Sequence, residues 1–458
     1  MPFFLVYVFQ QTDYEMPRFY SVIRSIPDIT NLRKRGRLEK TTKVKLLLIF
    51  AYALYFACIA TIVCALLTGS YYLLFGMLIL LPLVCISGLV IVIAIANTIV
   101  GALRSRYISK ASIILANHKG YKIAVLGSYG KTSMKELLIE VIGSSKKISA
   151  TTGNKNVPIS ISRWAGKLNG DEDILIVEYG ESKPGDIAKL AKLTHPDFVV
   201  ATGVAPNHLD FYKTEEALAH DFKSVTNYVA AKNIYANIQM KHVFQGETDV
   251  TFYSETNIGQ WKIKNIEVTI KGIYFELVQP KASIKISSHL LGRHNIGPLA
   301  AVALLAMRLG VPIKKIEQSI ANTKPYDHRM KPRQLHGAWL IDDTYNGNLE
   351  GFKAGLALLK ELPAKRKIYV TPGLVSQGAL TEAVHIEIGE KIAIANPDIV
   401  VLMDNSVTKF IMSGLDTQNY HGSIKIESDP LAFYTNLDQF VANGDLILMQ
   451  NDWPDGYR

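Results

Sequence analysis

The chain has 458 residues, of which 48% are hydrophobic and 20% are charged, and this composition excludes a disordered chain. Its net charge of +10 first suggests a nucleic-acid binder. However, residues 1–120 hold 13 basic and 4 acidic residues, whereas the rest of the chain holds 37 and 36, so the excess charge lies at one end and we expect no nucleic-acid partner.

The first predicted elements are two membrane-spanning helices. Residues 46–103 contain no Asp, Glu, Lys or Arg, and the run is interrupted only at Thr68-Gly69-Ser70. A bilayer core requires about 20 apolar residues of helix, and each half of the run is long enough, the second ending near Val100. The sequence therefore predicts a transmembrane helical hairpin over 46–103. The alternative is a hydrophobic helical hairpin inside a soluble protein.

Basic residues flank both predicted spans, and the turn between the spans carries no charge. They are Arg33, Lys34, Arg35, Arg37, Lys40, Lys43 and Lys45 before the first span, and Arg104, Arg106 and Lys110 after the second. The positive-inside rule then predicts cytoplasmic termini and a multi-pass protein of the inner membrane that contacts membrane lipid. Residues 1–45 form an N-terminal cytoplasmic segment, whose apolar start is compatible with an interfacial helix.

A glycine loop follows the next predicted strand. The apolar run Lys122–Leu126 is typical of a buried parallel strand, and 134–142 has the pattern of an amphipathic helix. A loop in this position can bind phosphate, because its backbone N–H groups and the helix N-terminus face the anion. Lys131 can reach the β and γ phosphates, and the Thr132 hydroxyl can bind magnesium. The loop comprises Gly127, Ser128, Tyr129, Gly130, Lys131, Thr132 and Ser133.

Two candidate metal ligands follow later strands. Glu178 ends the apolar run 173–178, and a carboxylate at the end of a parallel strand beside a phosphate loop can hold Mg²⁺. Glu178 could instead only cap or pair at the strand end. His208 follows the strand 197–202, and taken alone a loop histidine is more often a surface group than a ligand.

These motifs, in this order, resemble the Mur ligase family. They are GSYGKTSMKELL, TTGNKNVP, VEYG, APNHLDF, LGRHNI (291–296), DHRM (327–330) and IDDTYNGN (341–348). The GSxGKTS, GRHN and DDxYNxN motifs most resemble the MurF type, the UDP-N-acetylmuramoyl-tripeptide:D-alanyl-D-alanine ligases. The similarity covers about residues 120–395. It implies an α/β fold, with a phosphate-loop central domain over 115–325 and a Rossmann-like C-terminal domain over 326–458, which here follow the predicted hairpin.

The resemblance also implies a reaction. Such ligases use ATP and Mg²⁺ to phosphorylate a carboxylate, and an amine then attacks the acyl phosphate. The acceptor would be a muramyl peptide or a related carboxylate, and the amine an amino acid or a dipeptide such as D-Ala-D-Ala. Other cell-wall synthesis proteins are further expected partners.

Specific residues take roles by the same resemblance. Lys131, His208 and Arg329 would be catalytic. Thr132, Glu178 and His208 would hold metal. The remaining nucleotide contacts would be His294 and Asn295 near the adenine, and Arg329, Asp343 and Asn346 from the hinge at 326–329 and the C-terminal domain. His294 and Asn295 could instead be only turn and capping residues, Asp342 and Asp343 a solvated acidic turn, and Arg329 an ordinary linker charge.

Some motifs depart from the family pattern. A carbamylated lysine expected after the metal histidine would fall on Phe222, with Lys223 one residue away. The segment TPGLVSQG (371–378) replaces an acidic motif of the C-terminal domain. Two alternatives therefore stay open: a poly-γ-glutamate-type amide ligase, and a nucleotide-binding scaffold of a cell-wall synthesis complex.

Overall fold

The computed structural model describes residues 2–11, 42–153, 155–205, 212, 214–345, 347–374 and 377–451. The chain divides into two compact units, Met1–Tyr107 and Ile108–Arg458. The predicted site residues His208 and Asn346 lie outside the described residues. The predicted domain boundaries stay predictions.

The first unit is helical. Helices α1 (Pro2–Gln11) and α2 (Thr42–Leu67) pack together, with Val6 and Val8 buried against Val44 and Leu47. Helix α3 (Tyr71–Asn117) begins after the break that the sequence predicts at 68–70. Its last residues, from Ile108 onward, belong to the second unit.

The predicted multi-pass membrane location is wrong. Among the described residues, one helix, Val44–Leu67, is long and apolar enough to cross a bilayer, and one such helix is weak evidence for a crossing. The helix that contains the second apolar stretch does not end near Val100, because α3 continues through Arg104 and Arg106 to Asn117. Its final turns are packed in protein: Ala111 is 2% exposed and Leu115 is fully buried. Hydropathy located the apolar run but not the end of the helix.

The second unit contains a large mixed sheet. The described strands lie in the order β10-β9-β8-β7-β6-β5-β4-β1-β3-β2, of which β1 to β6 are parallel and β6 to β10 pair antiparallel with their neighbours. The strands are β1 (Tyr121–Leu126), β2 (Ile148–Ala150), β3 (Ile174–Glu178), β4 (Phe198–Ala201), β5 (Ile234–Asn237), β6 (Thr251–Tyr253), β7 (Asn257–Ile258), β8 (Trp261–Thr269), β9 (Gly272–Gln279) and β10 (Ala282–Ser288). The antiparallel strands β7 to β10 therefore extend the parallel sheet.

Helices cover both faces of this sheet, which explains why its parallel strands are apolar throughout. Ile123 and Val125 of β1 point into one hydrophobic cluster, whereas Ala124 and Leu126 point into another. The helices are α4 (Lys131–Gly143), α5 (Pro158–Ala165), α6 (Asp186–Thr194), α7 (Glu215–Lys223), α8 (Ile296–Arg308) and α9 (Ile313–Asn322).

A second sheet follows, with the order β11-β12-β16-β13-β14-β15. Its strands are β11 (Lys331–Leu335), β12 (Ala338–Asp343), β13 (Arg366–Thr371), β14 (Ile399–Met403), β15 (Ser423–Glu427) and β16 (Asp445–Gln450). Its helices are α10 (Leu349–Glu361), α11 (Thr381–Ala395), α12 (Thr408–Thr417), α13 (Pro430–Thr435) and α14 (Leu437–Phe440). All pairs except β11–β12 are parallel, so the predicted mixed α/β class is confirmed.

Candidate active site

The glycine loop lies at the carboxyl edge of the large sheet, between β1 and α4. Gly127 and Gly130 have φ values of 136° and 72°, a backbone conformation that favours glycine. A Cβ atom on Gly127 would lie 2.3 Å from the Thr202 Oγ1 atom, so the loop packs directly against the end of β4. The Ser128 N–H donates to the Gly203 carbonyl at 2.8 Å. The loop is thus held where the first turn of α4 presents backbone N–H groups that can bind an anion.

Lys131, the first residue of α4, is paired with a carboxylate that sequence reasoning missed. Its Nζ atom lies 3.0 and 2.9 Å from the two carboxylate oxygens of Glu181, and it also donates to the Gly127 carbonyl. Glu181 is 4% exposed and lies three residues beyond the end of β3. Only the adjacency of β1 and β3 brings this side chain to the loop.

Glu178 is held by three donors. Its Oε2 atom accepts from the Thr132 hydroxyl at 3.1 Å and lies 3.2 Å from the Lys135 Nζ atom. Its Oε1 atom accepts from the Asn156 side-chain amide at 3.2 Å. The Lys135 side chain is fully buried and also donates to the Gly153 carbonyl at 2.7 Å. The predicted Thr132–Glu178 proximity is therefore present, whereas the roles of Lys135 and Asn156 were not foreseen.

These residues fit a magnesium ion. Mg²⁺ prefers oxygen ligands and commonly takes only one or two from the protein, completing its shell with phosphates and water. The Thr132 hydroxyl and the Glu178 carboxylate are such ligands. A carboxylate has about four lone-pair positions, of which protein donors use three at Glu178, so one position is open to the ion or to its water.

A fuller metal site does not emerge from the described residues, which contain no group of three His, Cys, Asp or Glu side chains suited to a metal ion. Lys223 points elsewhere, because its Nζ atom donates to the Gln245 carbonyl at 2.7 Å. Phe222, the position of the family's carbamylated lysine, is fully buried in the core.

A cleft of about 630 Å³ opens beside the loop. It brings together six of the predicted site residues: Gly130, Ser133, His294, Asn295, Arg329 and Asp343. Aromatic residues that were not predicted to contact the nucleotide also line it, among them Tyr129, Tyr253 and Tyr326. Aromatic side chains next to a phosphate-binding loop suit a ligand that has both a flat ring and phosphates.

Arg329 links the loop helix to the second sheet. Its guanidinium donates to the Ser133 hydroxyl at 3.3 Å and lies over the Tyr345 ring, 4.9 Å from the centroid. Ser133 and Arg329 are 196 residues apart in the sequence. The predicted hinge segment thus places a positive charge at the first turn of α4.

His294 and Asn295 form one side of the cleft. The Asn295 amide donates to the Leu291 carbonyl at 2.7 Å and lies 3.0 Å from the His294 Nε2 atom. Partial loss of solvation in the cleft lowers the pKa of His294, although the residue remains exposed. The imidazole is therefore neutral at neutral pH and presents a polar, uncharged surface.

Asp343 ends β12 on the opposite side. Its carboxylate accepts from the Met330 N–H at 3.2 Å and from the Gln450 amide at 2.7 Å. Burial raises the pKa of Asp343 to about 6 despite these bonds. The carboxyl therefore gains its negative charge as the pH rises through about 6, and this charge would then face a ligand in the cleft.

This shift predicts a pH effect on stability. Because the folded-state pKa lies above the ordinary value of 3.8, the Asp343 contribution is full below that value and is lost as the pH rises through about 6. We expect the free energy of unfolding of the native chain to fall relative to Asp343→Asn between pH 4 and pH 6, measured by urea denaturation of the nucleotide-free proteins. A constant difference between the two proteins over this range would contradict the shift.

A polar chain crosses the cleft. The Tyr129 hydroxyl donates to the Gln239 side-chain oxygen, and the Gln239 amide lies 3.4 Å from the Glu350 carboxylate. Glu350 pairs with Lys353 at 2.9 Å, and Lys353 pairs with Glu387 at 2.8 Å. This series of polar contacts connects the glycine loop to α10 and α11, and no local sequence pattern predicts it.

Comparison with known proteins shows what this part of the chain is similar to. Residues 125–306 match the model of the Mur ligase middle domain. The UDP-N-acetylmuramoyl-tripeptide–D-alanyl-D-alanine ligase of Escherichia coli is 29% identical over 61% of this chain and 63% of its own length. The enzyme of the same name from Borreliella burgdorferi is 25% identical over 72% of this chain and 70% of its own.

Solved structures agree in fold. MurF from Acinetobacter baumannii has a TM-score of 0.66 at 18% identity and covers 76% of this chain and 77% of its own. MurF from Thermotoga maritima, solved with ADP, has a TM-score of 0.65 at 22% identity, and the match covers 76% of this chain and 80% of the Thermotoga chain.

The similarity is partial in length. The chain spans a little under two thirds of the E. coli, Haemophilus influenzae and Buchnera aphidicola (Acyrthosiphon pisum) relatives, namely 63%, 64% and 60% of their lengths. The matched middle-domain segment contains the glycine loop, Glu178, His294 and Asn295, which are among the residues that carried the resemblance. Part of the chain is similar to the Mur ligase middle domain, and the relatives with which it aligns are named as ligases of the MurF type.

Proposed function

We propose that the chain is an ATP-dependent carboxylate–amine ligase of peptidoglycan precursor synthesis. Its substrates would be ATP together with a UDP-muramoyl-tripeptide and D-alanyl-D-alanine, of which the last two appear in the names of its relatives. The observation that carries the proposal is the convergence of Lys131, Thr132 and Glu178 at one helix N-terminus beside the cleft.

The proposed reaction has two steps. A carboxylate oxygen of the acceptor attacks the γ-phosphorus of ATP, the bond to the β-phosphate oxygen breaks, and ADP leaves. The amine nitrogen then attacks the carbonyl carbon of the acyl phosphate, inorganic phosphate leaves, and the nitrogen loses a proton. A carboxylate is a poor electrophile, and phosphorylation provides the leaving group.

The chain's own residues would position and neutralise the phosphates, which is the main task of a phosphoryl-transfer site. The N–H groups of the glycine loop and the first turn of α4 would bind phosphate oxygens, and the Lys131 ammonium would neutralise charge on the transferring group. Arg329 would add a second positive charge from the hinge, beside Ser133. Thr132 and Glu178 would hold Mg²⁺, which would neutralise further phosphate charge when bound.

The cleft would hold the nucleoside. His294 and Asn295 line one wall, and Asp343 lies on the side formed by the second sheet. The neutral His294 ring suits a base or ribose better than a phosphate, because it brings no positive charge. The predicted roles of His208 and Asn346 stay predictions, as does a complex with other wall-synthesis proteins.

The test is a product assay with purified protein. With ATP and Mg²⁺, we expect phosphate release only when both UDP-muramoyl-tripeptide and D-alanyl-D-alanine are present, and a product whose mass equals the two joined with loss of water. Glutamate replaces the dipeptide in a matched reaction, and a ladder of glutamate additions would favour the poly-γ-glutamate alternative. Nucleotide binding without phosphate release under any substrate pair would favour the scaffold alternative.

A further inference from the structure

Glu181 lies where a bound phosphate would be expected. Its two carboxylate oxygens are 3.0 and 2.9 Å from the Lys131 Nζ atom, and its side chain is 2% exposed. The Lys131 side chain is itself 14% exposed. The protein thus brings its own anion to the lysine of the glycine loop.

The other carboxylate at this edge does not take that place. Glu178 accepts from Thr132 and Asn156 and pairs with Lys135, so its charge is already balanced by a buried ammonium. Glu181 instead forms an ion pair with Lys131. The two acids therefore pair with different cations, although they are three residues apart in the sequence.

A nucleotide phosphate and Glu181 cannot both be neutralised by one ammonium. Two anions that share a single cation at contact distance repel each other, and the repulsion is strong where the groups are poorly solvated. Binding must therefore displace the carboxylate from Lys131 or leave two negative charges in contact. Either outcome lowers the affinity of the site for the phosphate.

We propose that Glu181 is a resident anion that competes with the terminal phosphates of the nucleotide for Lys131 and so sets the nucleotide affinity of the site. This inference rests on the proposed function, because it takes the cleft to be a nucleotide site. The local backbone permits the exchange: residues 179–185 form neither helix nor strand. Gly180 anchors the start of this segment, since a Cβ atom there would lie 2.6 Å from the Asn156 Oδ1 atom.

The test is calorimetric titration of AMP, ADP and ATP into the full chain in EDTA. For Glu181→Gln we expect the affinities for ADP and ATP to rise at least about tenfold over the native chain. The AMP affinity should change less than about twofold or stay too weak to measure in both proteins, because AMP has no phosphate that reaches Lys131. Glu216→Gln, an exposed acid on α7 with the same change in net charge, should match the native chain.

A thermal melt provides the second measurement. Without nucleotide, Glu181→Gln should melt below the native chain, because Lys131 loses its ionic partner, and ADP should raise its melting temperature by more than it raises that of the native chain. If this variant does not fold, Glu181→Asp replaces it. The shorter carboxylate of this variant should bind ADP more tightly than the native chain and the Glu216→Gln control do. The gain should be smaller than the tenfold gain expected for Glu181→Gln.

The outcomes separate the inference from the proposed function. Unchanged or weaker ADP binding by Glu181→Gln would overturn the inference while leaving a nucleotide site in place. An equal gain for AMP would overturn it too, because the effect would then be a general change of charge. If neither the native chain nor Glu181→Gln binds any of the three nucleotides, with or without Mg²⁺, the proposed function itself fails.

Discussion

Replacement of Lys131 by alanine is expected to lower the rate of ATP-dependent phosphate release by about 100- to 1,000-fold, the range seen when one charge-stabilising group is removed from an active site. The reason is that the ammonium lies at the N-terminus of α4, where the phosphates of ATP would bind. The measurement is the steady-state release of phosphate in the presence of both proposed substrates. A rate equal to that of the native chain would exclude Lys131 from handling the transferring group.

Loss of folding must be separated from loss of chemistry in this variant. Lys131→Ala leaves the Glu181 carboxylate buried without its ammonium, which we expect to destabilise the fold by about 1–3 kcal/mol. The double variant Lys131→Ala with Glu181→Gln removes both charges, so it should recover stability but not activity. Lys147→Ala is the matched control, because Lys147 pairs with Asp171 at the surface, where the two side chains are 50% and 65% exposed.

Replacement of Lys135 by methionine is expected to produce the largest loss of stability among single substitutions at this site. The Lys135 and Glu178 side chains are 0% and 3% exposed, with 3.2 Å between the Nζ and Oε2 atoms. Removing one partner of a buried pair leaves an uncompensated charge, which costs about 3–5 kcal/mol. We expect this decrease in the free energy of unfolding, measured by urea denaturation.

Two further variants test the cause. Lys189→Met removes a lysine from a pair with Asp186, but the lysine side chain is 60% exposed and the N–O distance is 3.5 Å, so the loss should be under about 1 kcal/mol. Lys135→Met with Glu178→Gln removes both buried charges and should recover much of the stability. Equal losses for Lys135→Met and Lys189→Met would show that the buried pair is not what stabilises this edge of the sheet.

Local patterns predicted much of the fold because they reflect local physics. Buried parallel strands are covered on both faces, so they read as continuous apolar runs, and the strands predicted over 122–126 and 173–178 lie within one residue of the observed ones. The edge strands β11 and β15 were missed, since each contains charged and polar residues among its apolar ones and therefore lacks a fully apolar run. The end of the second apolar helix was predicted too early, because hydropathy shows where an apolar run ends and not where a helix ends.

The sequence by itself determined the glycine loop, the helix after it and the order of motifs that resembles the Mur ligases, because each depends on residues that are neighbours in the chain. Only the tertiary structure decided which side chains meet at that loop. Lys131 meets Glu181, Lys135 meets Glu178, and Arg329 meets Ser133 across 196 residues. These contacts exist because β3 lies beside β1 and because the second sheet faces the cleft, and neighbours in a sheet are set by chain topology rather than by any local pattern.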